Sequence, residues 1–105
     1  MIRKVFTLSL NPGCAEEYEQ RHSPIWPELT ATLRAHGVVH YTIHLDEASG
    51  LLVGVADIES EEQWAAIAHT DVCQRWWAHM ADIMATHPDK SPQSTELKPV
   101  FELGA

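Results

Sequence analysis

The spacing of apolar residues changes repeatedly along this chain, and that change restricts its possible folds more than any other feature. From Ile2 to Leu10 apolar and polar residues alternate, as in a half-buried strand, with Lys4 and Val5 as exceptions. From Ala15 the apolar positions recur every three or four residues, which predicts one face of a helix. These positions are Tyr18, His22, Ile25, Leu29 and Leu33. A chain of 105 residues has room for a single domain, residues 1–105.

Two prolines interrupt this first helical pattern. Pro24 and Pro27 each remove a backbone donor, so we expect a kink or a restart near Ser23, which could cap the second half. His36 and Gly37 end the pattern.

Two further strands follow, Val38 to Leu45 and Leu51 to Ile58, joined by a polar turn. The first should present Val39, Tyr41, Ile43 and Leu45 on one face and His40, Thr42 and His44 on the other. The second should present Leu51, Val53 and Val55 on one face and Leu52, Gly54, Ala56 and Ile58 on the other. Helices in so small a domain can cover only one face of a sheet, and the strand from Leu51 to Ile58 is apolar on both faces. A second subunit is therefore expected on one of its faces, which predicts a homodimer.

The last third of the sequence predicts a second helical part and a final strand. Ser60 begins an S-x-x-Q capping box, and Thr70 begins a second cap before a helix that stops ahead of Pro88. A final strand is predicted over Leu97 to Leu103, where Pro99 favours an edge position or a bulge. The order strand, helix, strand, strand, helix, strand is that of a ferredoxin-like α+β domain.

The charge and the cysteines restrict the partners and the compartment. Fifteen acidic and seven basic side chains give a net charge of −8, the wrong sign for nucleic acid or an anionic membrane surface. No apolar run approaches the roughly 20 residues of a membrane span, and the N-terminus does not have the pattern of a signal peptide. Cys14 and Cys73 form no C-x-x-C pair, so we expect two reduced thiols in a cytoplasmic protein.

His22 is the residue best suited to proton transfer. It follows Tyr18 by four residues, so the two side chains should lie one above the other on the inward face of the helix. An imidazole there can exchange protons near neutral pH. The alternative is a core histidine hydrogen-bonded to the backbone.

Three other aromatic residues are candidates for binding a ligand. Trp76 and Trp77 point about 100° apart on a helix, so they cannot fill the same core site, and an indole suits the C–H face of a pyranose. Tyr41 should lie in the apolar layer beneath the helices, where its hydroxyl needs a partner, as does that of Tyr18. The indoles could instead be core or interface anchors, and the phenols could be bonded to backbone.

Metal and thiol chemistry have little support in the sequence. His40 and His44 are too widely spaced for neighbouring strand ligands, and no H-E-x-x-H or paired-cysteine motif occurs. A nucleophile pair of Cys73 and His79 lacks any nearby group that would stabilise a thiolate.

Several segments together resemble the L-rhamnose mutarotase family over nearly the whole chain. They are Glu17-Tyr18 with Arg21-His22, Pro24 to Leu29, Tyr41, and, most specifically, Thr70 to Trp77 with the sequence TDVCQRWW. The resemblance implies a dimeric ferredoxin-like α/β barrel that interconverts the α and β anomers of L-rhamnose without metal or organic cofactor. It also implies His22 as the proton donor and Tyr18, Tyr41, Trp76 and Trp77 as sugar-binding residues. Pro99 is a departure from the family in the last strand, away from the expected site.

The residues themselves fit such a reaction. Opening and reclosing a pyranose needs a proton at the ring oxygen and the loss of another from the anomeric hydroxyl, which a histidine can support in both directions. Two other interpretations stay open on the same architecture: a cofactor-free monooxygenase or binder of small aromatic ligands, and a non-catalytic binding module.

Overall fold

The computed structural model describes residues 1–104 and has at its centre a four-stranded antiparallel sheet. The strands are β1 (Ile2–Ser9), β2 (Val38–Asp46), β3 (Leu51–Ile58) and β4 (Thr95–Glu96). Their order across the sheet is β2-β3-β1-β4, so the two central strands are β1 and β3. This is the predicted ferredoxin-like α+β arrangement.

Residues 1–104 form four short helices, which pack on one face of this sheet. They are α1 (Ala15–Arg21), α2 (Pro27–Ala35), α3 (Glu61–Ile67) and α4 (Asp71–Met80). Each contributes apolar side chains to a core that also contains Leu8, Leu52, Ala56 and Ile58 of the sheet. None of the helices within residues 1–104 has the length and apolarity needed to cross a membrane.

The two prolines break the first helical segment completely, as expected, but the restart differs from the prediction. The second helix begins with Pro27 at its first position, where a missing N–H costs nothing. Trp26 precedes it with φ −57° and ψ 125°, the extended conformation that a following proline favours. Ser23 is therefore not the cap.

The caps of the second helical part agree with the prediction, and its last helix ends ahead of Pro88, as expected, although earlier than the proline requires. Ser60 Oγ accepts from the N–H of Gln63 at 3.2 Å, and Thr70 Oγ1 accepts from the N–H of Cys73 at 3.3 Å. Helix α4 ends at Met80, well before Pro88. The reason is that Met84 pairs with Leu10, just beyond the end of β1, so the chain has left the helical conformation by that residue.

The predicted faces of β1 and β3 are correct, and β2 has one irregularity. Leu8, Leu52 and Leu45 lie side by side on the helix-covered face. A register shift between Val38 and His40 inserts Val39 as an extra residue, so Val38 points inward and Val39 is 50% exposed. The placement of Val39 on the face of Tyr41 is therefore wrong.

Within the part of the chain that the structure describes, no helix lies on the opposite face of the sheet. Val5, Val53 and Val55 lie there half-buried, and Leu51 is 41% exposed. Since the helices cover the face with Leu52, the apolar surface left open is the second of the two faces that the sequence identified.

The final strand is much shorter than the predicted one. β4 has only Thr95 and Glu96, and one more bond runs from the N–H of Leu97 to the carbonyl of Val5 at 2.8 Å. From 97 to 103 the chain has no regular structure, so the predicted strand Leu97 to Leu103 is wrong. Pro99 removes a donor there, and Phe101 is 81% exposed.

Candidate active site

A pocket of about 670 Å³ lies between α1 and the sheet, and we call it the His22 pocket. Its walls are formed by α1, by β2 and β3, and by the turn between those strands. The lining residues are Ala15, Glu16, Tyr18, Glu19, His22, Tyr41, Ile43, Leu45, Glu47 and Leu52. Tyr18, His22 and Tyr41 are thus brought together, as the spacing on helix and strand predicted.

His22 is held at the end of α1 because Pro24 disfavours helical backbone at Ser23. His22 is the C-cap residue of α1, with φ −96° and ψ 0°, and its ring turns back over the helix. Its Nδ1 lies 2.8 Å from the carbonyl oxygen of Tyr18, and since a carbonyl can only accept, Nδ1 carries the proton. In the neutral ring Nε2 is therefore the basic nitrogen. The alternative interpretation, a histidine that is hydrogen-bonded to the backbone, is correct for Nδ1 only. Nε2 has no hydrogen-bond partner in the described chain.

Burial keeps this imidazole neutral. Desolvation lowers the pKa of His22 below its ordinary value of 6.5, and the bond to the Tyr18 carbonyl opposes that shift only in part. The ring is stacked on that of Tyr18 with centroids 4.4 Å apart, and Trp76 meets it edge-on at 5.2 Å and 88°. At neutral pH the site therefore holds a base, fixed between two aromatic rings.

The two phenol hydroxyls of the pocket are available to a ligand. Neither Tyr18 nor Tyr41 makes a side-chain hydrogen bond within residues 1–104, and no buried polar side-chain atom there is cut off from both partner and solvent. The hydroxyls must therefore face accessible space, which excludes the alternative of phenols bonded to backbone. Burial raises the pKa of Tyr18 to about 12 and raises that of Tyr41 as well, so both remain proton donors at neutral pH.

Trp76 belongs to an aromatic group behind His22. Its ring also meets Trp26 at 5.1 Å and 81°, and His79 lies 5.7 Å from it. Trp76 therefore contacts the histidine directly without being one of the residues that line the pocket. Trp26 was not singled out as a site residue in the sequence, since nothing in the spacing relates it to Trp76.

Trp77 points elsewhere, into a second pocket of about 440 Å³ that we call the Trp77 pocket. Lys4, Cys73, Ser94 and Glu96 also line it, together with apolar residues of β1 and α3. The structure therefore does not place Trp77 with His22. The two indoles occupy different places, as their spacing on the helix indicated, and the implied role of Trp77 in sugar binding stays a prediction.

Three rings, which we call the aromatic wall, stand between the two pockets: Phe6, Tyr41 and Trp64. Their centroids are 5.9 to 6.1 Å apart. Gly54 permits this arrangement, because a Cβ at that position would lie 2.5 Å from the ring of Phe6. Only the glycine in the middle of an apolar strand signals such a close approach in the sequence.

The residues considered for metal or thiol chemistry lie apart from this pocket. His40 and His44 are on the uncovered face of the sheet. Cys14 and Cys73 are both free thiols, and burial raises the pKa of Cys73 to about 11, so it is not a thiolate at neutral pH. Across residues 1–104 no three His, Cys, Asp or Glu side chains are grouped as metal ligands.

The fold and the pocket define a ferredoxin-like α+β protein with a histidine-containing pocket between its helices and its sheet. A family model described as L-rhamnose mutarotase matches residues 3–103. The chain belongs to the L-rhamnose mutarotase family.

Individual relatives agree over the full length. The chain is 59% identical to an L-rhamnose mutarotase of Enterobacter sp. (strain 638) and 58% identical to one of Yersinia pestis (strain Pestoides F), in each case over 98% of this chain and 99% of the relative. A crystal structure of L-rhamnose mutarotase from Formosa agariphila has a TM-score of 0.91 at 35% identity, covering 99% of this chain and all of that one.

More distant structures share the fold only. One is a putative antibiotic biosynthesis monooxygenase from Nitrosomonas europaea, with a TM-score of 0.64 at 15% identity over 96% of this chain and all of that one. Similarity at this level shows the ferredoxin-like architecture and gives no support to an oxygenase activity.

Proposed function

We propose that this protein is an isomerase that interconverts the α and β anomers of L-rhamnose by general acid–base catalysis. Membership of the L-rhamnose mutarotase family supports the reaction. The observation that carries the mechanism is the neutral imidazole of His22, with Nδ1 bonded to backbone and Nε2 free, in a pocket with two unpaired phenol hydroxyls.

Ring opening and ring closure each require two proton transfers, and neither involves a redox step. As the bond between the anomeric carbon and the ring oxygen breaks, the anomeric hydroxyl loses its proton to His22 Nε2 and the ring oxygen gains one. The open aldehyde rotates and recloses on its other face. In that step the former ring oxygen gives its proton back to the group that supplied it, and the imidazolium returns its proton to the anomeric oxygen. His22 thus begins as a base and is the proton donor on the return step. The proton for the ring oxygen comes from a phenol or from water.

Tyr18 and Tyr41 bind the sugar in this proposal. As phenols with raised pKa values they donate hydrogen bonds to sugar oxygens and hold the anomeric carbon near Nε2. Positioning of this kind is a large part of catalysis for a reaction that water already supports slowly. Trp76 supplies an apolar surface behind His22, whereas Trp77, which the resemblance also implies as a sugar-binding residue, lines the other pocket and contributes little to this site.

The lining of the pocket suits an uncharged sugar with an apolar substituent. Ile43, Leu45 and Leu52 form an apolar floor that can take the methyl group of a 6-deoxy sugar. Glu16, Glu19 and Glu47 line the same pocket, and no lysine or arginine of the described chain does so. Three carboxylates repel anionic sugars such as uronic acids or sugar phosphates.

We also propose that the protein is a homodimer that uses the uncovered sheet face. That face carries half-buried valines, and the nearby segment from 97 to 103 exposes apolar side chains that nothing else in the described chain covers. Light scattering at micromolar concentration should give twice the chain mass. A monomeric mass would exclude the dimer.

We place this activity in the cytoplasm and without a metal or organic cofactor. The two free thiols support a reducing compartment. The acid–base steps above need no redox group. Treatment with a chelator should therefore leave the rate unchanged.

Saturation-transfer NMR on the anomeric protons of L-rhamnose tests the reaction. With protein present, exchange between the α and β signals should become faster with no oxygen consumed. Oxygen uptake with an aromatic substrate and no effect on exchange would favour the monooxygenase, and neither effect would favour a binding module.

A further inference from the structure

Arg21 makes polar contacts that its position in the sequence does not suggest. It is the last residue of α1, directly before His22, yet its side chain is only 15% exposed. Its Nη1 donates to the carbonyl oxygen of His79 at 2.7 Å. The guanidinium also donates to both carboxylate oxygens of Asp82, at 2.8 and 3.3 Å. One planar side chain therefore links α1 to the end of α4 and to the turn after it.

These contacts fix the part of α4 that faces His22. His79 is in the last turn of the helix, where carbonyl groups lack partners within the helix and a cation is favoured. Trp76 is three residues earlier on the same helix and meets the His22 ring edge-on at 5.2 Å. Arg21 thus holds both rings of the His22–Trp76 contact in place. It is joined to His22 through the backbone, and its bond to the His79 carbonyl holds the helix that carries Trp76.

His22 needs such a tether because it lies outside the regular helix. Its N–H bonds to the carbonyl of Glu19 at 3.1 Å, and the chain then turns through Ser23 and Pro24. The single bond from Nδ1 to the Tyr18 carbonyl sets the rotation of the ring, whereas the separation of α1 and α4 sets how closely Trp76 covers it.

We propose that Arg21 is a positioning residue, which holds α1 against the end of α4 so that His22 stays packed between Tyr18 and Trp76. The expected effect of Arg21 on the rate of anomer exchange rests on the proposed function, whereas its expected effect on the packing and titration of His22 does not. Because the guanidinium forks across two acceptors, lysine cannot replace it: a single ammonium keeps the charge and loses the paired geometry.

The test compares Arg21→Lys with Arg75→Lys. Arg75 is also an arginine that links two helices. It binds the carboxylates of Asp71 and Glu28 and joins α4 to α2, but it is 47% exposed and makes no contact with the His22 pocket. For each variant we would measure the melting temperature, anomer exchange, and the titration of His22 followed by NMR, with His22→Gln used to assign its signal.

We expect Arg21→Lys to lower anomer exchange roughly 10- to 100-fold, because a small displacement of a reacting group has effects of that size. We also expect the pKa of His22 to rise toward 6.5 as its ring becomes more hydrated. Arg75→Lys should change neither. Asp82→Asn weakens the ion pair with Arg21 but leaves the bond to the His79 carbonyl. Its exchange rate and the pKa of its His22 should lie between those of Arg21→Lys and the unmodified protein.

Three results would overturn the proposal: an unchanged His22 titration in Arg21→Lys, exchange at the unmodified rate, or a loss of exchange that only follows the folded fraction. Since the titration needs no sugar, it separates the two proposals. If the unmodified protein does not speed anomer exchange, the proposed function fails, while the effect of Arg21 on His22 is still read from the titration.

Discussion

The His22 pocket and the Trp77 pocket lie on opposite sides of the aromatic wall and differ in whether their polar groups have partners. Both have apolar floors and aromatic sides, and their volumes are of the same order, about 670 and 440 Å³. In the His22 pocket one ring nitrogen and two hydroxyls have no partner within residues 1–104. In the Trp77 pocket the ammonium of Lys4 is bound by Glu61 and by Glu96.

This difference shows that shape alone does not locate chemistry in this molecule. Lys4 has its pKa raised, chiefly by its bond to Glu96, so it remains an ion-paired cation. The thiol of Cys73, also in the Trp77 pocket, stays protonated. Among the residues of the described chain that line the two pockets, only His22 is an imidazole with a free lone pair, and it should therefore be the residue on which activity depends most.

The largest effect is expected from His22→Ala. If His22 carries the proton, its loss should reduce anomer exchange by about 10²- to 10⁴-fold while the fold remains intact. Lys4→Gln in the other pocket is the control and should exchange at the unmodified rate. Melting temperature and saturation transfer measured on the same preparations decide this. A well-folded His22→Ala protein that exchanges anomers at nearly the unmodified rate would end the proposed mechanism.

The second prediction separates the two indoles. Trp76 packs on His22, whereas Trp77 lines the other pocket. Trp76→Phe should therefore lower kcat/KM about tenfold, the equivalent of roughly 1.4 kcal/mol, a reasonable value for one aromatic contact. Trp77→Phe should leave kcat/KM within about threefold and mainly lower the melting temperature. Equal losses of kcat/KM in both variants would mean that the sugar reaches both sides of the aromatic wall.

Much of the fold could be predicted because period-2 and helical spacing report directly on burial. Leu8 and Leu52 lie on the face that alternation assigned to them, and both predicted caps form. The bulge at Val39 could not be seen, since an extra residue in one strand depends on its pairing with the neighbour. The alternation from Leu97 to Leu103 was a real apolar pattern, but a strand also needs a partner, and residues 1–104 offer none beyond Leu97.

The site was predictable to the extent that it depends on local spacing. Tyr18 and His22 are one helical turn apart, and Tyr41 was assigned to the correct face of β2. The contacts of Arg21 with His79 and Asp82 span 58 and 61 positions in the sequence. No periodicity relates such residues, so only the three-dimensional fold identifies them.

The third prediction concerns pH. Because the folded-state pKa of His22 is below 6.5, the unfolded chain binds its proton more readily. The stability from neutral His22 is therefore fully present above pH 6.5 and is lost as pH falls through the lower, folded-state pKa. Below that value the exchange rate should also fall about tenfold per pH unit, because the base is protonated.

Melting curves between pH 5 and 7.5 check the stability part of this prediction. His22→Gln should lose less stability over that range than the unmodified protein, and His69→Gln, at an exposed position after α3, should behave as the unmodified protein does. A decline of equal size in His22→Gln would show that other groups cause it.

The smallest effect is expected from the carboxylates that line the His22 pocket and are absent from the lining of the Trp77 pocket. Two unit charges about 6 Å apart in water repel by roughly 0.7 kcal/mol, which corresponds to about threefold in rate. Glu19→Gln should therefore speed the anomer exchange of a uronic acid about threefold and leave that of L-rhamnose unchanged. Glu62→Gln, at the exposed start of α3, is the matched control. The gain should disappear in 1 M salt, where charges are screened within about 3 Å. A gain that persists there would come from a changed pocket shape and not from charge.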